Sequence, residues 1–285
     1  MKLIPKIFRR LGLASRVNTT VKVVFGEQPF IIPLLGELGF GNLAPTEPWM
    51  SSLLLQLAPV IHQQQGVFID VGVNIGQTLL KLRSVFPDFQ YVGFEPNPAC
   101  VNYVTQLIKV NAFTGIKLFP VGISDRPAIL ELQFFSEGDD DSCASLIKEF
   151  RPEEKIFKSI QVPVFPVGDL DFGGVVRFLK IDVEGAELEV MGGCLDLVRR
   201  DQPIILMEIL PTYEAGNAMR LDRQHALEAL MSSLNYCCLR VRKDASNGLA
   251  TLQLLDCIEI HDDLTLSDYL WVPASRRDEI THLFA

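Results

Sequence analysis

Short apolar runs alternate with helical patterns over most of this chain. From Gly66 onward, five runs have the length and composition of buried strands. These runs are Val67–Val71, Tyr91–Phe94, Lys117–Gly122, Val175–Ile181 and Ile204–Ile209. Strands of a parallel sheet are buried on both faces, so they appear as continuous runs of Val, Ile, Leu and Phe. The pattern predicts an α/β fold with these five strands at the centre of a mostly parallel sheet and helices on both faces.

Other strands are predicted beside this sheet. Ala128–Phe135 and Ile160–Val167 flank the loop Ser136–Ser145, which favours an antiparallel insertion between the third and fourth core strands. The chain ends with three more strand patterns, which we place at one edge of the sheet. They are Tyr236–Arg242, Thr251–Leu255 and Asp268–Val272. The helices between the core strands are predicted to begin near Asn74, Pro98 and Glu184.

Residues 1–65 are predicted to form an N-terminal extension to a single domain, residues 66–285. Val21–Phe25 and Phe30–Pro33 have the pattern of short strands, and Pro48–His62 has that of a helix. Residues 1–16 carry five cations and no acid, and the first acidic residue of the chain is Glu27. The cations are Lys2, Lys6, Arg9, Arg10 and Arg16. A helix here has one apolar and one cationic face, which is typical of peripheral contact with an anionic membrane; a helix packed on its own domain and a frayed tail are the alternatives.

The amino-acid composition and net charge limit the classes of function that this chain can have. With 48% hydrophobic and 21% charged residues, the chain has enough apolar side chains for a large core. A net charge of −9 argues against nucleic-acid binding, which depends on basic patches, and favours a small or neutral partner. The six cysteines lack disulfide or metal-site spacing, so we expect a reducing, cytoplasmic location, with membrane association confined to the inner face. The sequence leaves the oligomeric state open.

Ligands of open α/β sheets bind at the carboxyl ends of the strands, so polar residues at those ends are the candidates for chemistry. The first core strand, Val67–Val71, runs into the segment Asp70-Val71-Gly72-Val73-Asn74-Ile75-Gly76, where a glycine turn is followed by the start of a helix. Glycines let the backbone turn sharply and a ligand approach closely. An acid beside this turn suits S-adenosylmethionine (SAM), which carries an ammonium, a carboxylate and a sulfonium, better than it suits a pyrophosphate.

The second and third strands end in further polar residues. Glu95 follows the second strand and is placed to accept hydrogen bonds from two ribose hydroxyls, a device shared by NAD and SAM folds. Ser124 and Asp125 follow the third strand and are candidates for contact with an adenine amino group. The alternative for Asp125 is a turn former ahead of Arg126-Pro127.

The fourth and fifth strands supply a group of acids. Asp182 ends the fourth strand and Glu208 ends the fifth, while Glu184 and Glu187 lie in the turn that follows Asp182. Mutual repulsion in a water-poor cleft raises carboxyl pKa values, so we predict a general base here, in the order Asp182, Glu184, Glu208. A capping box formed by Glu184 and Glu187 is the structural alternative. His62 is a weaker candidate base, and the need for a metal stays open.

These motifs together resemble the FkbM family of SAM-dependent methyltransferases over about Gly66 to Pro273. The motif series is Asp70-Val-Gly-x-Asn74-Ile-Gly76, Phe94-Glu95-Pro96-Asn97-Pro98, Val121-Gly-x-Ser124-Asp125 and Leu179-Lys180-Ile-Asp182-Val-Glu184-Gly-Ala-Glu187. The resemblance implies a Rossmann-like class I methyltransferase fold. It also implies SAM bound by a set of residues that begins at the glycine turn. This set is Asp70, Gly72, Asn74, Gly76, Glu95, Ser124 and Asp125, with Asp182 in the same cleft.

The resemblance further implies methyl transfer to a hydroxyl of a sugar, glycan or secondary metabolite. After the strand that ends at Val167, the family usually has a Leu-Asp pair, but this chain has Gly168-Asp169-Leu170. The geometry of the loop after Val167 is therefore expected to differ from that of the family. Two alternatives to this function remain. An NAD(P)-dependent oxidoreductase is disfavoured because Asn74 stands where its second glycine belongs and the chain has no Tyr-x-x-x-Lys pair. The other is a methyltransferase fold without activity that serves as a binding module.

Overall fold

The computed structural model describes residues 17–61, 66–139, 141–148, 150–151, 153–168, 170–214 and 216–284. The strands in these ranges are β1 (Asn18–Phe25), β2 (Gln28–Leu35), β3 (Gly66–Val71), β4 (Gln90–Phe94), β5 (Ile116–Phe119), β6 (Gly122–Ile123), β7 (Ala128–Phe134), β8 (Lys158–Phe165), β9 (Val175–Ile181), β10 (Ile204–Glu208), β11 (Tyr236–Lys243), β12 (Leu249–Leu255) and β13 (Asp268–Pro273). The α-helices are α1 (Pro48–Gln56), α2 (Ala58–Ile61), α3 (Gln77–Val85), α4 (Pro98–Val110), α5 (Glu187–Gly193), α6 (Leu195–Asp201), α7 (Ala218–Ser233) and α8 (Arg277–His282).

An eight-stranded sheet forms the centre of the fold, in the order β12-β11-β13-β10-β9-β3-β4-β5. Five neighbouring strands of this sheet are mutually parallel, namely β10, β9, β3, β4 and β5. Strand β13 is antiparallel to both of its neighbours. The predicted mostly parallel sheet is therefore confirmed, as are the three strands near the C-terminus that lie at one edge. Every residue of β3 is buried, as its unbroken apolar run predicts.

Helices cover both faces of this sheet. On one face, Phe68 and Phe178 of the sheet pack in a cluster with residues of α1, α3 and α4. On the other face, Ile69 and Leu179 pack with residues of α5, α6 and α7. Neighbouring residues of a strand point to opposite faces, so one apolar run supplies both cores. The predicted layer arrangement is confirmed.

The third core strand differs from the prediction. The run Lys117–Gly122 was expected to form one strand at the sheet centre, but β5 ends at Phe119 and is the edge strand. Gly122 and Ile123 form β6, which joins a separate sheet of order β6-β8-β7. The break follows Pro120, which has no backbone N–H to donate to a ladder. The antiparallel insertion itself, β7 with β8, is confirmed.

The described part of the N-terminal extension packs on the same core. The two predicted strands form the antiparallel hairpin β1–β2, and Phe25, Phe30 and Leu53 belong to the cluster that holds Phe68. The predicted helix over Pro48–His62 is two helices, α1 and α2, with the break at Leu57 just before Ala58-Pro59. The division of the chain at residues 65 and 66 stays a prediction.

Parts of the sequence analysis fall on residues outside the described ranges. They are the basic amphipathic segment Met1 to Arg16, the candidate base His62, and Asp169 in the departure from the family pattern. Within the described ranges, no helix has the length and apolar character needed to cross a membrane.

Candidate active site

A cleft of about 460 Å³ opens at the carboxyl ends of the parallel strands. This volume falls in the roughly 300–1,000 Å³ range of small-molecule sites. Residues at the ends of β3, β4, β9 and β10 line it, and the loop after β7 forms part of its wall. Of the predicted site residues, the cleft brings together Gly72, Asn74, Glu95, Asp182, Glu184 and Glu208.

The turn after β3 positions the floor of the cleft. Gly72 has φ of 90°, and a Cβ added there would lie 1.8 Å from the backbone oxygen of Asp182. Asn74 and Gly76 also have positive φ, 47° and 77°. Because these residues have a left-handed conformation, they do not belong to the helix. Helix α3 therefore begins at Gln77, after the predicted start near Asn74. Only glycine allows the strands β3 and β9 to approach this closely at their ends.

Glu95 is buried at the end of β4 and accepts two backbone hydrogen bonds. Its Oε2 accepts from the Asn74 N–H at 2.7 Å and its Oε1 from the Asn97 N–H at 2.8 Å. Burial raises the pKa of Glu95 to about 7, even though both hydrogen bonds act to lower it. Each carboxylate oxygen retains a second lone pair, so this side chain can still accept from two hydroxyls of a ligand.

Asp70 lies beneath the cleft and does not line it. Its Oδ2 accepts a hydrogen bond of 2.6 Å from the Tyr91 hydroxyl, and its Oδ1 lies 3.6 Å from Nζ of Lys180. Burial raises the pKa of Asp70 above its ordinary value, with Lys180 and Tyr91 opposing that shift. Its predicted effect on a cofactor would therefore act through Lys180 and not by direct contact.

Asp182 and Lys180 form an ion pair at the end of β9. Nζ of Lys180 is 3.0 Å from Oδ2 of Asp182, and the Asp182 side chain is 33% exposed to the cleft. Burial alone lowers the pKa of Lys180, but Asp182 and Asp70 outweigh it and raise that pKa above its usual range. The lysine thus remains a cation and holds Asp182 in place.

Glu208 ends β10 and lines the same cleft. The nearby charge of Asp182, followed by burial, raises the pKa of Glu208 well above its ordinary value. Asp268, which pairs with Glu208 across β10 and β13, acts in the same direction. At neutral pH Glu208 therefore carries a proton and donates a hydrogen bond more readily than it accepts one. The predicted mutual repulsion of acids in this cleft is visible here.

Glu184 is held by an arginine and not by a helix end. Its φ is 53°, and its Oε2 accepts a hydrogen bond of 2.6 Å from Nη2 of Arg151. Burial, and then the charge of Asp182, raise the pKa of Glu184 to about 7. Helix α5 begins at Glu187, and the Glu187 carboxylate accepts from the Gly185 N–H at 2.9 Å. The capping-box alternative is wrong, because Glu184 lies three residues before the first residue of the helix.

Ser124 and Asp125 lie away from the cleft. Ser124 is buried, its N–H donates to the Phe165 carbonyl and its hydroxyl is 3.2 Å from Oδ1 of Asp125. Gly122 and Ile123 line the cleft instead, since the chain has already turned into the small sheet at this point. Adenine contact by Ser124 and Asp125 stays a prediction. In this segment, Gly122 and Ile123 are the residues that line the cleft.

The cleft contains residues that the sequence analysis did not assign. Lys180 stands two residues before Asp182, on the same side of the strand, and this spacing was the available signal. Lys81, on α3, forms an ion pair with Glu47. The loop after β7 adds Asp141, Ser142, Ala144 and Leu146. Tertiary packing brings these residues to the cleft, and no local motif marks them.

The loop between β7 and β8 is tied to the strand ends. The Asn97 Nδ2 donates to the Asp139 carbonyl at 2.7 Å, and the Ser145 hydroxyl donates to the Glu184 carbonyl at 2.7 Å. Asp141 accepts from the N–H groups of Phe135, Ser136 and Cys143. Its carboxylate therefore folds the loop. Among the described residues, no group of three or more His, Cys, Asp or Glu side chains is arranged to hold a metal ion.

Sequence comparison decides the family. A profile of the FkbM methyltransferase domain matches residues 70–238. The chain belongs to the FkbM methyltransferase family. The match begins at Asp70 and includes every predicted site residue except the weaker candidate His62, and it confirms the resemblance read from the motifs. This membership does not support the oxidoreductase alternative.

Individual relatives are more distant. The chain is 28% identical over 154 residues to methyltransferase sdnD of Sordaria araneosa, covering 44% of this chain and 59% of that protein. It is 27% identical over 145 residues to methyltransferase 1 of Beauveria bassiana, covering 45% of this chain and 58% of that protein. The matches thus span less than two thirds of either relative. The crystal structure of methyltransferase FkbM from Methylobacillus flagellatus superposes with a TM-score of 0.45 at 15% identity, covering 73% of this chain and 43% of that one.

SAM is the cofactor of this FkbM methyltransferase, and the cleft suits it. Six carboxyl groups and two lysines line the cleft among the described residues. The carboxyl groups are Glu47, Glu95, Asp141, Asp182, Glu184 and Glu208, and the lysines are Lys81 and Lys180. This excess of acids favours a ligand with a sulfonium and an ammonium. The close turn at Gly72 leaves the floor free of side chain, and Glu95 offers acceptors for ribose hydroxyls.

Proposed function

We propose that this chain transfers the methyl group of SAM to a hydroxyl of a neutral small-molecule or glycan acceptor, such as a sugar or a secondary metabolite. The observation that carries the proposal is the position of Asp182. Its carboxylate is one-third exposed in the cleft, fixed by Lys180, and flanked by two carboxyls whose pKa values are raised. A hydroxyl is a poor nucleophile and gains from such a proton acceptor.

The charge of the cleft supports a neutral acceptor. Within the described part of the chain, the cleft has six carboxyl groups and two lysines. Even with Glu208 protonated the acids outnumber the lysines, which disfavours a phosphorylated acceptor, and the net charge of −9 acts in the same sense over the whole chain. A neutral polyol or glycoside carries no such penalty. The same charge balance disfavours nucleic acid as the acceptor.

The side chains of the cleft have different roles in the proposed reaction. Bound SAM supplies an electrophilic methyl group whose transfer leaves a neutral thioether. Asp182 accepts the hydroxyl proton as the oxygen bonds to carbon, and Lys180 keeps the Asp182 carboxylate in one orientation. Glu208, which carries a proton at neutral pH, donates a hydrogen bond within the cleft and helps to orient the acceptor.

Glu184 supports this arrangement from the side. Arg151 holds its carboxylate, and the Ser145 hydroxyl holds its carbonyl, so that Glu184 links the wall of the cleft to the turn after Asp182. Glu184 is the alternative base. Glu208, third in the order predicted from the sequence, carries a proton at neutral pH and is therefore not assigned as a base. Peripheral contact of the segment Met1 to Arg16 with an anionic membrane, at the inner face, also stays a prediction, because that segment lies outside the described residues.

The test combines turnover and binding. The purified chain is incubated with methyl-labelled SAM and a panel of neutral sugars, glycans and hydroxylated metabolites, and products are identified by mass spectrometry. We expect Asp182→Asn to lower kcat on the best acceptor by about 10²- to 10⁴-fold, the usual contribution of a general base. SAM affinity should change little. Asp222→Asn, an exposed change on α7, is the matched control and should retain full turnover.

Three outcomes contradict parts of this account. Full turnover by both Asp182→Asn and Glu184→Gln removes the base assignment. A methyl group found on nitrogen, sulfur or carbon removes the hydroxyl assignment. Binding of SAM without turnover on any member of the panel favours the inactive binding module.

A further inference from the structure

A second cavity of about 470 Å³ lies next to the acidic cleft. The tip of the β1–β2 hairpin, the segment 42–48, helix α1 and helix α3 enclose it. Its lining is mostly apolar and includes Phe25, Ala44, Pro45, Leu55, Leu80 and Val85. Its size is within the range of small-molecule sites, and no residue of the motif series lines it.

The two cavities share a wall. Gln77 and Lys81, on α3, line both of them. The Gln77 Nε2 donates to the Gly41 carbonyl at 3.3 Å, and Lys81 pairs with Glu47, whose side chain is 42% exposed. This wall is therefore made of side chains, which can change rotamer without a movement of the backbone. A ligand that reorients Gln77 and Lys81 can reach from one cavity into the other.

One buried polar atom in the second cavity lacks a partner. Asn42 is 1% exposed and lines the cavity, and its Nδ2 donates to the Ile75 carbonyl and the Tyr103 hydroxyl. Its Oδ1 has no hydrogen-bond partner among the described residues. Leaving a buried acceptor unpaired is unfavourable, and one hydroxyl on an otherwise apolar ligand group would satisfy it.

We propose that the second cavity is an acceptor subsite, which holds the apolar part of an amphiphilic acceptor while its hydroxylated head lies in the acidic cleft. The occupant is a neutral molecule with an alkyl or alicyclic part joined to a polyol or sugar. The apolar lining stabilises the first part, and the acids at the strand ends face the second. This inference rests on the proposed function and narrows its acceptor class.

The test uses methyl, hexyl and octyl β-D-glucoside as probes, below their micelle-forming concentrations. Each is titrated calorimetrically into the full chain saturated with S-adenosylhomocysteine, and again into the chain alone. Affinity should rise by up to about fourfold for each added methylene, as burial of an alkyl chain predicts. Octyl glucoside should therefore bind on the order of tenfold more tightly than hexyl glucoside.

Two variants locate the binding. Ser51→Trp, on α1, and Ala44→Trp, on the opposite wall, place a large side chain in the cavity and should remove the gain with chain length. Gln56→Trp is the matched control, because Gln56 is exposed on the same helix, does not line the cavity, and should leave the gain intact. All three variants should bind SAM as the wild-type chain does.

The outcomes separate this inference from the proposed function. Equal affinity for methyl and octyl glucoside overturns the subsite, as does a chain-length gain that survives in both cavity variants. Failure of the wild-type chain to bind SAM overturns the proposed function, and the titrations without cofactor then still decide whether the cavity takes an alkyl chain.

Discussion

Lys180 contacts two carboxylates of different kinds, one buried in the fold and one open to the cleft. Asp70 is fully buried and hydrogen-bonded to Tyr91, while Asp182 is partly exposed. The Lys180 cation thus offsets the charges of both carboxylates and links Asp70, near the carboxyl end of β3, to the cleft. The sequence motif contains Lys180, but the pairing depends on the register of β3 with β9, which places Asp70 beside Lys180.

Glu208 leads to a prediction on pH and stability. Its folded-state pKa is raised above the ordinary value of a glutamate, so its contribution favours folding below that ordinary value and is lost as pH rises toward the folded-state pKa. Glu208→Gln removes this loss. We expect the variant to gain stability relative to wild type as pH increases from 5 to 8, by on the order of 1 kcal/mol or more.

Thermal unfolding at several pH values measures this difference. Glu153→Gln, an exposed change in the loop between β7 and β8, serves as the control and should show no such trend. A difference between wild type and Glu208→Gln that stays constant with pH would show that Glu208 ionises normally in the folded chain.

Residue types at strand ends indicated side chains that line the cleft, with limits set by packing. Glu95, Asp182, Glu184 and Glu208 lie in the cleft as the strand pattern predicted. The proton affinities of these acids could not be obtained from the sequence, since they depend on burial and on neighbours distant in the chain. Arg151, which holds Glu184, is separated from it by 33 residues.

At the scale of elements, the turn after β3 sets the spacing of the strand ends. Gly72→Ala requires a Cβ to occupy space 1.8 Å from the Asp182 carbonyl oxygen, with φ of 90°. Gly26→Ala, in the β1–β2 turn, has φ of 59° but nothing within 4 Å, and isolates the backbone cost of about 1–2 kcal/mol. We expect Gly72→Ala to cost at least about 2 kcal/mol more, from overpacking.

Urea unfolding of the two glycine variants measures these costs. Gly72→Ala should also weaken SAM binding, because the displaced strand ends carry Asn74 and Asp182. Equal losses of stability in the two variants would mean that the approach of β3 to β9 is loose.

The loop between β7 and β8 gives a second prediction at this scale. Arg151→Met leaves the mostly buried Glu184 carboxylate without its hydrogen-bonding cation, and we expect a loss of about 1–3 kcal/mol in the free energy of unfolding. The double variant Arg151→Met/Glu184→Gln should recover part of that loss, since no unpaired charge remains. Urea unfolding of Arg151→Met, Glu184→Gln and the double variant gives the coupling energy, and a coupling energy near zero would show that the pair does not stabilise the loop.

The elements themselves followed from apolar patterning, and the exceptions have local causes. The run Lys117–Gly122 contains Pro120, where the chain leaves the central sheet, and the single helical pattern over Pro48–His62 contains Pro59 near its break. Sheet order was not available from the runs alone, because the edge position of β5 depends on tertiary packing.

At the scale of the molecule, the fold and the charge point to the same ligands. The carboxyl ends of the parallel strands, together with the segment before α1 and the loop after β7, bring six carboxyl groups to one cleft, in a chain of net charge −9. Composition predicted the sign of this charge, but its concentration in one cleft depends on the fold. The apolar cavity beside it was not predictable, since its walls come from the hairpin, α1 and α3, which are separated in sequence.

The most direct test of the central claim is calorimetric titration of the purified chain with SAM, with NAD and NADP titrated in parallel. We expect micromolar SAM binding, no heat with either nicotinamide cofactor, and SAM affinity at least about tenfold weaker in Glu95→Ala, because hydrogen bonds to a charged group are lost. Binding of NAD in place of SAM would contradict the cofactor assignment. Unchanged SAM affinity in Glu95→Ala would contradict the assignment of Glu95 to the ribose.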